Sequence, residues 1–544
     1  MKPLIVQSDM TLLLEVESPA FEETRDAIAP FAEIIKSPDH IHTYRITPLS
    51  LWNAGAAGMS ASQVLDALMQ YTKFPISEVV LIRIKEIMER FGSIEMRSHS
   101  EGLSLSAKDT SLMHLLRCNS KISNFFARDI DEKTVLIQPI NRGLVKQTLI
   151  KEGWPVLDLA GYEQGKSLEK PIDLRADHAL RPYQQMASSA FGSSGIGGSG
   201  VIVLPCGAGK TITGISILTK LQCHTLVLTT GTTAVRQWKQ ELLDKTTIEE
   251  QYVGEYSGEV KEIRPITVST YQILTSRQNK EADFVHFDKI NAEPWGLIIY
   301  DEVHLLPAQV FQFTASLQAV RRLGLTATLV REDGREEDVF SLIGPKYFDV
   351  PWKDIEKQGW IAPTTCFEIR VPLCEDQHMD YAKTEKRHRF RIASENSNKF
   401  QAIESLLKRH PNEPTLIIGQ FIDQIEKIAQ HFQAPLITGK TPQEVRDVLY
   451  AEFKTGKRQI LVVSSVANFA LDLPNATVAI QVSGKFGSRQ EEAQRLGRLL
   501  RPQAGKKAYF YTIVTADTEE QDFAFKRQLF LVEQGYTYKI TADA

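Results

Sequence analysis

An α/β chain with two parallel sheets in series is the fold class this sequence predicts, on three observations. Short apolar runs alternate with helical stretches from about 175 to 352, the same alternation resumes from about 396, and the first run ends in a glycine-rich turn. In the first block the runs at 201–204, 225–228, 266–269, 297–300 and 323–325 read as strands. In the second, 415–418, 434–437, 460–463, 478–482 and 508–512 do the same. Strands covered on both faces by crossover helices are apolar throughout rather than alternating, so such runs indicate a parallel sheet. Two blocks of this kind imply two lobes with a cleft between them.

The residues before about 175 read differently. Residues 1–95 mix a strand-like opening at 11–16 with helices: 62–69 has apolar residues at helical spacing with Ser60 or Ser62 as cap, and 76–91 is a second amphipathic helix. Residues 96–165 turn strand-like, with a strand at 134–137 ending before Pro139. The polar, glycine-containing 163–171 reads as a linker, and the Gly/Ser-rich 192–200 as a flexible surface connection.

Composition narrows the class. A chain of 544 residues has room for about three or four domains. With 63 basic against 67 acidic residues and a net charge of −4, the molecule as a whole is no electrostatic surface for nucleic acid. Phosphate binding must come from local clusters. The five cysteines form no C-x-x-C pair, which argues against zinc fingers, iron–sulfur clusters and a disulfide scaffold and suits a reducing cytoplasm. The first residues lack a signal peptide's apolar core, and no stretch reaches the roughly 18 apolar residues of a membrane span.

The glycine-rich turn carries the chemistry. Pro205-Cys206-Gly207-Ala208-Gly209-Lys210-Thr211 stands between an apolar run and a helix start. Gly207 and Gly209 let backbone N–H groups curl around phosphate oxygens, Lys210 brings a positive charge to the β- and γ-phosphates, and Thr211 offers a hydroxyl to Mg²⁺. Leu204 stands where the general pattern begins with glycine, which makes this a variant loop. Asp301-Glu302-Val303-His304 ends the run at 297–300. Asp301 is placed to hold the metal, and Glu302 to orient and deprotonate the attacking water. The two halves in this order imply ATP hydrolysis.

Other segments complete the expectation. In 488–498, Gln494, Arg495 and Arg498 share one face of a helix. Arginine's planar charged fork can grip γ-phosphate oxygens, a contribution on the order of 10³–10⁵-fold in rate. A solvated, salt-bridged helix is the alternative, and the phosphate loop in the other block tips the balance. Leu180-Arg181-Pro182-Tyr183-Gln184 places an amide able to pair with adenine about 20 residues upstream of the loop, or is simply a helix start with Pro182 near its first position. Lys383, Lys386, Arg387, Arg389 and Arg391 crowd around His388 and Phe390. This run either neutralises phosphates while the ring stacks on a base, or is a solvated helix; its position between the lobes favours DNA. His40 and His42 have no further ligands nearby and are assigned to ordinary structure.

These motifs together resemble superfamily 2 helicases, and in detail the XPB-type DNA repair and transcription helicases. The resemblance rests on 204–210, Asp301-Glu302-Val303-His304, Gly324-Leu325-Thr326-Ala327-Thr328, Arg331-Glu332-Asp333, Gln494-Arg495-Leu496-Gly497-Arg498 and 526–536, with 41–52 similar to that family's N-terminal domain. It implies two RecA-like parallel-sheet motor lobes with smaller α+β domains ahead of them. The boundaries are an N-terminal helicase-associated domain at 1–95, a damage-recognition-like domain at 96–165, a linker at 166–174, lobe 1 at 175–352, a connector and thumb-like insertion at 353–395, and lobe 2 at 396–544. It further implies ATP and Mg²⁺ as cofactors, 3′→5′ movement on single-stranded or forked DNA, Arg331, Glu332 and Asp333 at the duplex fork, and His304, Thr326 and Thr328 coupling nucleotide state to lobe movement. The segment 467–472 keeps Asp472 but lacks the glycine and hydroxyl residues of the eukaryotic pattern. Two alternatives stay open: a double-strand translocase that separates no strands, and a scaffold that recruits a nuclease partner and uses ATP as a switch.

Overall fold

The structure, a computed structural model, describes all residues except 1, 37–39, 139–140, 161–164, 194–198, 277–283, 307–316, 318, 328–335, 351, 465–475, 485–491, 493–495, 498–506 and 542–544. The chain divides into two compact units, residues 1–204 with 209–349 and residues 205–208 with 350–544.

The first unit holds three sheets. β1 (Leu4–Val6), β2 (Thr11–Glu15), β3 (Glu33–Lys36) and β4 (Ile41–Arg45) form an antiparallel sheet in the order β1-β2-β4-β3. Helices pack with it, and their starts are written in the sequence. Thr47 and Ser50 cap each other's backbone ahead of Pro48–Ala56, and Ser60 and Gln63 do the same ahead of Ala61–Tyr71, so Ser60 rather than Ser62 is the cap. The helix expected over 76–91 spans Glu78–Arg90 and buries Val80, Ile84, Ile87 and Met88 at helical spacing.

β5 (Ile94–His99), β6 (Gly102–Ala107), β7 (Phe126–Asp129), β8 (Thr134–Ile137) and β9 (Val156–Asp158) form a second sheet in the order β7-β8-β6-β5-β9. The helix Arg142–Lys151 covers it, and Gln147 on that helix donates to Asp338 Oδ1 at 2.6 Å. The described part of the expected linker is tied down. The N–H of Lys166 donates to the Pro294 carbonyl, that of His224 to Lys166, and that of Leu168 to Gln222. Gly165 lies so close to Gly296 that a Cβ would fall 2.0 Å from its nitrogen.

The first parallel sheet comprises β10 (Gly200–Val203), β11 (Thr225–Thr229), β12 (Val253–Tyr256), β13 (Ile266–Thr270), β14 (Trp295–Asp301), β15 (Ala319–Thr326) and β16 (Lys346–Asp349). Their order is β12-β13-β11-β14-β15-β10-β16, with every pairing parallel. Its core gathers Leu226, Leu228, Ile298, Tyr300 and Trp295.

The second unit repeats the plan with β17 (Thr364–Val371), β18 (Thr415–Gly419), β19 (Leu436–Ile437), β20 (Ile460–Ser464), β21 (Val478–Gln481), β22 (Ala508–Thr515) and β23 (Tyr538–Thr541). The order is β19-β20-β18-β21-β22-β17-β23, again parallel throughout. All ten apolar runs read as strands fall on strands of these two sheets. One segment differs from expectation: 364–371, read as part of a connector, is β17, paired on both sides by β22 and β23. Among the described residues no helix is long and apolar enough to cross a membrane.

Candidate active site

Three parallel strands bring the chemistry-bearing residues to one edge. β15 lies between β10 and β14, with Thr326 opposite Val203 and Leu325 opposite Asp301. Because the strands run the same way, their C-terminal ends share one side of the sheet, where loops and helix N-termini converge on ligands in α/β folds. Past β10, the N–H of Leu204 donates to the Thr326 carbonyl at 3.0 Å and the chain enters the glycine turn. Gly207 and Gly209 have φ of +81° and +84°, which L side chains rarely adopt. A Cβ on Gly209 would lie 2.5 Å from Gln184 Nε2 and 2.9 Å from Ile212 Cγ2, so glycine alone fits. Gly209 is the N-cap of the helix Lys210–Leu221. A glycine cap has no side-chain acceptor, so the first N–H groups and the positive end of the helix dipole are left to attract an anion.

Lys210 opens that helix. Its Nζ donates to Glu302 Oε1 at 2.7 Å, with the two side chains 11% and 22% exposed. Glu302 follows β14 in left-handed backbone, φ +50°, uncommon for a residue with a side chain. Burial, reinforced by the charge of Glu302, pushes the Asp301 carboxyl above the ordinary carboxylate range, against the opposing pull of Lys210 and Trp238. Trp238 Nε1 donates to Asp301 Oδ2 at 2.8 Å, and the Tyr271 hydroxyl donates to the Asp301 carbonyl at 2.8 Å. Buried His304 has Nδ1 2.6 Å from Thr326 Oγ1 and 3.5 Å from Glu302 Oε2, which joins the end of β15 to the acid pair. Two carboxylates, a half-buried ammonium, the Thr211 hydroxyl and a glycine-capped helix start are a donor set that fits a polyphosphate with a hard, oxygen-seeking cation.

The other expected residues divide into three groups. Beside the loop, Gln184 is buried and accepts the N–H of Arg181 through Oε1 at 2.9 Å, while Arg181 Nη1 donates to the Tyr183 hydroxyl at 3.0 Å. Pro205 and Ala208 are buried, and Cys206 and Thr211 half-buried. Thr328, Arg331, Glu332, Asp333, Gln494, Arg495 and Arg498 lie outside the described residues. Lys386, Arg387, Arg389 and Phe390 fall on the helix Lys386–Ser394. The expectation for Phe390 is corrected: its ring is 1% exposed and packs at 5.1 Å and 6.0 Å from the rings of Phe523 and Phe421. A side chain enclosed by its own core has no face left for a base. Arg389 turns back to donate to the Thr384 and Ala382 carbonyls, over the Tyr381 ring.

Sequence reasoning missed Trp238, Tyr271 and Glu492. Trp238 shares a helical stripe with Val235 and Leu242 and reads as core, so its hydrogen bond to a residue 63 positions away leaves no local signal. Glu492, buried just ahead of Gln494, accepts from Gln481 Nε2 at 2.9 Å and from the Tyr538 hydroxyl at 3.1 Å, and lies 3.6 Å from Arg527 Nε. In the same unit Lys399 Nζ is bound by both Glu520 oxygens and by the Val482 carbonyl.

Comparison with known proteins gives the family. Residues 355–544 match the ERCC3/RAD25/XPB C-terminal helicase family, residues 4–131 a helicase conserved C-terminal domain, and residues 177–331 the type III restriction enzyme, res subunit family. The protein named DNA 3′-5′ helicase XPB from Mycobacterium tuberculosis is 51% identical over 99% of this chain and 97% of its own length. Its namesake from Kineococcus radiotolerans is likewise 51% identical, over 99% and 96%. The general transcription and DNA repair factor IIH helicase/translocase subunit XPB of Encephalitozoon cuniculi is 32% identical, over 99% and 83%. With half of its residues shared along nearly its whole length, the chain belongs to the XPB family of helicases.

Proposed function

We propose that this protein is an ATP-dependent DNA helicase that tracks 3′→5′ and opens duplexes. The observation that carries the reading is the cluster of Lys210, Asp301, Glu302, His304 and Thr326 at the strand ends, in a chain half identical to relatives named DNA 3′-5′ helicases. The N–H groups of 207–211 and Lys210 would bind the phosphates, Thr211 and Asp301 would hold Mg²⁺, and Glu302 would orient and deprotonate water. Bound Mg²⁺ supplies neutralisation of charge on the transferring phosphoryl oxygens. Gln184 and Arg181 select adenine. From their motif, Gln494, Arg495 and Arg498 are inferred to contact ATP. The bond from His304 to Thr326 relays nucleotide state, Arg331, Glu332 and Asp333 act at the fork, and Lys386 and Arg387 neutralise the strand, while Arg389 is engaged by the Thr384 and Ala382 carbonyls. The family names support DNA repair or transcription as the setting, and the likeness to bacterial relatives supports a cytoplasmic location.

A second reading, translocation along duplex without strand separation, is favoured by the name helicase/translocase that the eukaryotic relatives carry. Forked-duplex unwinding measured beside triplex displacement separates the two. Strand separation with ATP, lost in Lys210→Ala, supports the helicase. Triplex displacement with no unwinding on forks of either polarity supports the translocase. The ATP-switched scaffold for a nuclease is disfavoured, because Asp301 and Glu302 form a complete acid pair that a mere switch can dispense with.

A further inference from the structure

Asp301 is held at two atoms by residues from two other elements. Trp238, on the helix Thr232–Lys245, reaches Oδ2 of the carboxylate with its indole N–H, and Tyr271, opening the short helix Tyr271–Leu274 just after β13, reaches the main-chain carbonyl with its hydroxyl. Both side chains are 1% exposed. Holding one carboxylate oxygen sets the rotamer, and with it the direction of the other oxygen. Holding the carbonyl sets the peptide plane between Asp301 and Glu302, which is the plane that the left-handed backbone of Glu302 requires to be turned. The need for such holders is local: two adjacent carboxylates in a half-buried edge repel each other, and a free Asp301 would swing away from Glu302.

The path of the indole is itself built. A Cβ on Gly214, in the helix that starts at Lys210, would lie 2.9 Å from Trp238 Cη2 and 2.9 Å from Leu325 Cδ1. Gly214 has no unusual φ to satisfy, so what it supplies here is space for the ring to cross beneath the phosphate-loop helix to β14.

We propose that Trp238 and Tyr271 are positioning residues for the acid pair, with Gly214 as the opening that admits the indole. They fix the direction in which Asp301 presents its other carboxylate oxygen and in which Glu302 departs from the strand. This rests on the reading of Asp301 as the metal-holding carboxylate.

The test is a Mg²⁺ titration of the binding of a fluorescent ATP analogue to the full-length protein, with kcat and KM of the ATPase measured alongside. Trp238→Phe keeps an aromatic ring and removes the donor, Gly214→Ala displaces the ring without touching any charge, and Tyr271→Phe removes one oxygen. Losing a hydrogen bond to a charged or polarised acceptor predicts a rise in the Mg²⁺ half-saturation of about tenfold for Trp238→Phe and a few-fold for Tyr271→Phe. The affinity measured without Mg²⁺ stays at the parental value, and kcat falls more than KM rises. Asp301→Asn is the reference. If it raises the Mg²⁺ requirement while folded Gly214→Ala and Tyr271→Phe keep the parental half-saturation, the positioning role is overturned, whether or not Trp238→Phe folds. If Asp301→Asn itself leaves the Mg²⁺ requirement unchanged, the reading of Asp301 fails first.

Discussion

His42 sits on β4 with 8% of its surface exposed, edge-to-face against Phe21 at 5.2 Å and beside Tyr44. Burial, with the charge of Arg25 adding to it, lowers its pKa to about 4. An unfolded histidine titrates near 6.5. Between those two values the unfolded chain holds more protons than the folded one, so stability falls as pH drops through about 6.5 towards 4 and is unaffected outside that window. The contribution is on the order of 3 kcal/mol. An NMR titration of the His42 ring should give a midpoint near 4, and a midpoint near 6.5 would contradict the packing. His40, by contrast, is exposed, with Nδ1 2.8 Å from Glu17 Oε1, so the two histidines assigned to ordinary structure are one buried ring and one surface hydrogen bond. At this scale the candidate site was legible where chemistry demands a residue type: Lys210, Asp301 and Glu302 stand where their motifs put them, and Lys210 and Glu302 meet across 92 positions. Phe390 was misread because a basic run marks a charged face but says nothing about the single apolar residue inside it, which the core claims.

Among the elements, the helix Arg142–Lys151 and the strand β9 are joined by buried charge. Arg142 forks onto both oxygens of Asp158 at 2.7 and 2.9 Å and also reaches the Ala160 carbonyl, while Lys146 Nζ lies 2.9 Å from Asp158 Oδ2. Burial alone would raise the Asp158 carboxyl, but the charges of Lys146 and Arg142 overcome it and hold it well below the usual range. Asp158→Asn leaves two buried cations without their counter-charge and is expected to cost about 3–5 kcal/mol. Hydrogen exchange in 94–158 should rise accordingly in the full-length variant; unchanged protection there would show the triad to be solvated. The same helix carries Gln147 to Asp338, so loosening it also loosens the contact between this sheet and Glu336–Leu342.

Across the whole molecule, two seven-stranded parallel sheets account for the repeated apolar runs. Central strands were legible because both faces are buried and apolar residues dominate their runs. The strands that escaped reading are those at or beside a sheet edge. β12, β16 and β23 are three of the four outermost strands, short and partly polar, and β17 next to β23 alternates in burial along its length, whereas the fourth, β19, lies within the apolar run at 434–437. The linker at 166–174 escaped for a related reason: its polar residues look solvated in sequence, yet its backbone is hydrogen-bonded to Gln222, His224 and Pro294. What sequence could not give at any scale is which side chain meets which across distant elements, as with Trp238 and Asp301.

The central claim is that the edge formed by β10, β15 and β14 hydrolyses ATP with Glu302 as the base. Glu302→Gln keeps the side chain's size and its contact with Lys210 while removing the charge that takes the proton. DNA-stimulated ATP hydrolysis by this variant is the most direct measurement. A fall on the order of 10²–10⁴-fold, with nucleotide binding retained, is the expected result, and hydrolysis at the parental rate would contradict the account.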